Sequence, residues 1–158
     1  MSALLKLSEG MRRLLEWIAL VSGWLLVVMA CVTTFDVFSR KFGVQLPYTK
    51  LQELEWHFHA ALFCLVLGYG VIHNTHVRID LIRDNLAFRK KAWLEFVGLT
   101  FFMIPYCAIV IYFAFDYTYA SYMINESSNS TVGLSHRWII KSVFILGMLV
   151  AVISGIAA

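Results

Sequence analysis

The densest group of chemistry-bearing residues in this 158-residue chain is Glu53, Glu55, His57 and His59. Carboxylates and imidazoles are the side chains that hold metal ions and move protons. On a helix, Glu53 and His57 share a face four residues apart, and so do Glu55 and His59. The two pairs point in different directions, and spacing fixes no third ligand. The residues fit a charged collar at the outer membrane surface better than a zinc site. The five histidines, His57, His59, His73, His76 and His136, also raise the idea of a haem held by two imidazoles. That needs one histidine on each of two facing helices at one depth. His57 and His73 fall at opposite ends of a single apolar run, the first and third long runs carry no histidine, and His136 sits only at the edge of the fourth. No metal, haem or other cofactor is expected. In His76-Val77-Arg78-Ile79-Asp80, an extended backbone would put His76, Arg78 and Asp80 on one side; a solvated turn explains them equally well. There is no glycine-rich phosphate loop and no Ser/His/Asp order, so catalysis is not expected. Cys31, Cys64 and Cys107 lie apart, each inside an apolar run, and read as small buried residues.

The elements that must position these residues are set by composition. The chain is 60% hydrophobic and 15% charged, with a mean hydropathy of +0.74. Ordinary globular domains are about 45–50% apolar and about 25% charged. Lipid is therefore the expected solvent. The net charge of +3 sits in short basic clusters at the ends of apolar runs, which argues against a nucleic-acid partner. Four runs are long enough to cross a bilayer: about 14–35, 56–72, 92–115 and 138–158. Backbone groups in lipid must be satisfied within the segment, so each run should be a helix. The first run exceeds the ~7–15 apolar residues of a signal peptide and is taken as a permanent span. The expected fold is all-α, a single membrane domain over residues 1–158, built as a four-helix bundle.

Lysine and arginine set the orientation. The tail and the second connection carry eight: Lys6, Arg12, Arg13, Arg78, Arg83, Arg89, Lys90 and Lys91. The opposite side carries five: Arg40, Lys41, Lys50, Arg137 and Lys141. Both termini are therefore expected in the cytoplasm. Leu4, Leu7, Met11, Leu14 and Leu15 recur at helical spacing, which predicts a short amphipathic segment in the interface before the chain turns inward. Residues 35–46 predict a similar segment, with Pro47 opening the next helix. Residues 116–137 read as an outward loop, and Pro105 as a kink that frees backbone near Phe101. Asn125-Glu126-Ser127 and Asn129-Ser130-Thr131 match the glycosylation sequon, a short pattern common by chance in such loops. The last run reaches Ala158 without a polar flank, so a short tail beyond it is expected.

The centres of the four runs contain no Asp, Glu, Lys, Arg or His. Ionisable groups at that depth mark ion pathways and substrate sites. A chain without them is poorly suited to move a charged solute alone. Its packing faces are well marked instead: Ala60, Cys64 and Gly68, then Gly147, Ala151 and Gly155, each recur every four residues. Small residues at that spacing let helices approach closely, inside the bundle or against another subunit.

Several segments resemble a known family. They are Asp36-Val37 through Arg40, Leu51-Gln52-Glu53-Leu54-Glu55-Trp56-His57, Gly68, and His73 to Leu81 (HNTHVRIDL). In order and spacing they are similar to the small membrane subunit, DctQ type, of tripartite ATP-independent periplasmic (TRAP) transporters. Gly133-Leu134 and Arg137-Trp138-Ile139-Ile140-Lys141 are similar to a branch linked with 2-oxo acids, lactate or mannitol-like solutes. Ser135-His136 stands where that branch often has a Pro-containing turn. The resemblance implies a bacterial inner-membrane protein in a sodium-driven system for organic-acid uptake. Its partners would be a large multi-helix membrane subunit, a periplasmic solute-binding protein and the bilayer. The small subunit would brace the large one and help dock the soluble protein. Carried over, Asp36, Arg40, Glu53, Glu55, Trp56, Gly68, His76, Arg78, Asp80, Arg137 and Lys141 are the candidate interface residues. Two alternatives stand beside this reading. One is a haem-binding anchor of an oxidoreductase. The other is an autonomous four-helix exporter using Glu16, although Glu16 follows Arg12 and Arg13 at the interface.

Overall fold

The computed structural model describes residues 3–44, 46–73, 75, 86–130 and 132–157. Four helices account for nearly all of them: α1 (Ala3–Lys41), α2 (Tyr48–Ile72), α3 (Phe88–Met123) and α4 (Trp138–Ala157). All four are long and apolar enough to cross a membrane. The all-helical, four-span expectation therefore holds, and two boundaries differ from it.

The first difference is α1. No separate interfacial segment precedes the first span; the helix runs unbroken through 39 residues. No proline interrupts it, and extending a formed helix adds a hydrogen bond per residue without a new nucleation cost. At 1.5 Å per residue it is roughly 58 Å long, against ~30 Å of hydrocarbon. The amphipathic residues at both ends are thus overhanging turns of one helix. Gly43 stops it, at φ 67°. The Val44 N–H bonds the Ser39 carbonyl at 3.0 Å, and the Gly43 N–H bonds that of Arg40 at 3.2 Å. That is a Schellman cap, which needs a left-handed residue where only glycine fits without strain. Pro47 then caps α2, its carbonyl accepting from the Lys50 N–H at 2.9 Å.

The second difference is α3, which continues to Met123 rather than yielding to loop at Asp116. Its polar extension is held by α4. Lys141 Nζ lies 3.6 Å from the Tyr117 ring centre, Tyr122 meets Trp138 edge-on, and Ser121 is buried. Lower in α3, residues Gly98–Met103 form a π-helical stretch just before Pro105. Proline lacks the N–H that would bond Phe101, and the wider turn absorbs the defect.

α2 packs between α1 and α4, α1 also touches α4, and α3 leans on α4. The α2–α4 seam is the closest. A Cβ on Gly68 would stand 2.6 Å from Val150 Cγ1, and one on Gly147 would stand 2.6 Å from Cys64 Cβ. The small-residue stripes of the sequence are therefore used inside the chain. At the seam's far end, Ser8 Oγ (3.1 Å) and Arg12 Nε (3.4 Å) donate to the Ala157 carbonyl. These contacts satisfy the Ala157 carbonyl at the end of α4, and the arginine sits at the negative pole of its dipole. No more than 22% of the most apolar window of any span is buried within the chain. The remainder is a surface for lipid or for another membrane protein.

Candidate partner-docking site

Three helices overrun the apolar runs at the end that carries the α1–α2 turn. Residues 36–41 of α1, 48–55 of α2 and 116–123 of α3 project there as rigid turns. Over α4, which begins at Trp138, lies the connection of residues 124–137.

That connection is folded. Its two arms are bonded to each other: the Ser128 N–H bonds the Leu134 carbonyl (2.9 Å), and the Arg137 N–H bonds that of Glu126 (3.0 Å). Asn125 (φ 46°) and His136 (φ 65°) turn the chain at either end. Glu53 of α2 holds the loop from below. Its Oε2 accepts the Leu134 N–H at 2.6 Å, and its Oε1 accepts from the Ser128 hydroxyl. Gly133 makes room for this, because a Cβ there would stand 2.3 Å from Ser128 Cβ and 2.7 Å from Glu53 Oε1. His57 Nδ1 donates to the Glu53 carbonyl at 2.5 Å, one turn along α2. Glu126 ties the loop to α4 through Lys141, and within the loop it lies 4.0 Å from Arg137. The Lys141 hydrogen bond, with the charge of Arg137 adding, holds the Glu126 carboxyl below the usual range.

On the adjoining end of α1, Asp36 pairs with Arg40 at 2.9 Å, and Arg40 lies 4.7 Å over the Tyr48 ring. Asp36 is buried and its Oδ1 has no hydrogen-bond partner; Glu55 Oε1 is also buried without one. Trp56 is 77% exposed, an interfacial aromatic pointing away from the chain.

The structure thus gathers Glu53 of α2, Lys141 of α4 and Arg137 around one loop, with Asp36 and Arg40 at the neighbouring helix end. Gly68 lies apart from them, buried mid-helix against Val150. His76, Arg78 and Asp80 lie outside the described residues. Sequence reasoning missed Glu126, Ser128 and the structural part of Gly133. By sequence Glu126 is only the middle of a sequon, and no local pattern joins residue 53 to residues 128 and 134. Among the described residues, no group of three or more His, Cys, Asp or Glu is placed to hold a metal ion.

Four spanning helices under a small folded cap define a multi-pass membrane protein. Comparison with protein families makes that class specific. Residues 29–158 match the family described as tripartite ATP-independent periplasmic transporters, DctQ component. The chain belongs to this family, and is thereby a membrane component of a tripartite transporter. No curated protein and no solved structure matches it.

Proposed function

We propose that this chain is the small inner-membrane subunit of a sodium-driven TRAP transporter for an organic acid. It braces the large membrane subunit and helps dock the periplasmic solute-binding protein. It carries no catalytic group of its own. The observation that carries the docking part is the folded cap, residues 124–137, fixed to α2 by Glu53 and to α4 by Glu126. A loop needed only to connect two helices has no reason to be cross-paired and tied at two points; a fixed surface lowers the ordering cost of binding. In this reading the cap and the ends of α1 and α2 face the periplasm. Asp36, Arg40, Glu53, Glu55, Trp56, Arg137 and Lys141 build or border the docking face. His76, Arg78 and Asp80 would serve the cytoplasmic side. The apolar helix surface left open by the fold supports the bracing part.

Co-purification tests the proposal. The tagged chain is expressed with its chromosomal neighbours and extracted in mild detergent. The expected result is a stoichiometric partner of many helices, and a soluble protein that binds the pair. A lone oligomer that transports solute in liposomes would overturn the proposal in favour of an exporter. A red protein with a Soret band would do so in favour of a haem anchor.

A further inference from the structure

α3 buries side chains along only one of its two halves. On the cap side of Ile104 it packs on α4: Cys107, Ala114 and Ser121 are buried, Lys141 lies over the Tyr117 ring, and Tyr122 meets Trp138. On the other side, no residue from Phe88 to Met103 is buried. Phe88, Trp93, Phe96, Phe101 and Phe102 are all exposed. Among the described elements, the stretch of residues 98–103 reaches α4, with Met103 and Ile104 beside Gly155.

The two halves meet where the backbone ladder is irregular. The Ile104 N–H bonds the Leu99 carbonyl, five residues back rather than four. Pro105 has no N–H to give to Phe101. π-helical turns and prolines are the places where helices bend. A bend at bilayer depth keeps one angle when side chains on both sides of it are packed. Here only the 104–123 side has them: the 88–97 side has no buried residue. Few buried apolar contacts are what make a segment free to move.

We propose that residues 98–105 are a hinge, about which residues 88–97 of α3 swing while residues 106–123 stay fixed on α4. The angle of the fixed half is set inside the chain, and that of the swinging half by its surroundings. A bend of roughly 20° at the end of a rod about 15 Å long carries Phe88 through roughly 5 Å. The inference does not rest on the proposed function.

Distances between paired spin labels test it, in the full chain held in lipid nanodiscs with Cys31, Cys64 and Cys107 replaced. Ile156→Cys on α4 is the common reference. Phe88→Cys pairs with it across the hinge, and Tyr119→Cys pairs with it on the fixed half; all three positions are exposed. The 88–156 distances are expected to spread more widely than the 119–156 distances, by roughly 5 Å. Pro105→Ala, which restores the missing N–H, is expected to narrow that spread to the control width. Amide hydrogen exchange of the unsubstituted chain reads the hinge independently, and decides if Pro105→Ala fails to accumulate. Residues 98–104 are expected to exchange at least about tenfold faster than residues 107–121. An 88–156 spread no wider than the control, a spread unchanged by Pro105→Ala, or equal exchange in the two stretches overturns the inference.

Discussion

Gly133 has no room for a side chain. A methyl group there would press on Ser128 and on the Glu53 carboxylate together, so one of them must give way. Gly133→Ala is therefore expected to loosen the cap, at a cost of about 1–3 kcal/mol. Amide hydrogen exchange should report it: protection falls at Ser128 and Leu134, whose N–H groups close the loop, and stays unchanged along α4. Unchanged protection at both would mean that Glu53 does not hold the cap. At this scale the sequence was partly legible. It marked Glu53, Arg137 and Lys141 because of their types. It gave no hint that Glu53 serves the loop from eighty residues away, since nothing local encodes that pairing.

The helices make a different kind of demand. α2 and α4 meet through Cys64 and Gly68 on one side and Gly147, Val150 and Ala151 on the other. In lipid there is little hydrophobic drive between helices, so close backbone approach carries the association. Gly68→Leu should force the helices apart and lower the thermal midpoint of the purified chain in detergent. Gly155→Ala is the matched control. Its added Cβ would sit 3.6 Å from Ile104 and 3.7 Å from Met103, an ordinary contact, so the midpoint should hold. Equal losses from the two would mean that the seam is not the sensitive contact, since alanine and leucine both favour a helix over glycine. The periodic small residues made the seam's existence readable. Which helix each stripe would meet was not readable, because two stripes can pair with each other or with partners.

For the whole molecule, orientation decides which partner each end can reach. The cap must lie outside if it meets a soluble periplasmic protein, and the end where Ser8 and Arg12 meet Ala157 must then lie near the cytoplasmic face. A version with Cys31, Cys64 and Cys107 replaced should accept single new cysteines. Lys50→Cys, at the exposed start of α2, is expected to react in intact cells with a reagent that cannot cross the inner membrane. Arg89→Cys, at the exposed start of α3, is expected to react only after lysis. The reverse pattern would put the cap in the cytoplasm and remove its proposed partner.

Composition and run length by themselves determined that the chain lives in lipid, that it crosses four times and that it is helical. A backbone without water has hardly any other way to satisfy its polar groups. The order and spacing of short motifs determined the family. Only tertiary structure decided where α1 and α3 end, since Gly43 had to be seen in its left-handed turn and Tyr117 and Ser121 against α4. It alone joined residue 53 to residue 134 and residue 8 to residue 157. Helix boundaries and long-range pairs depend on what a segment touches, and contact across dozens of residues leaves no trace in local spacing.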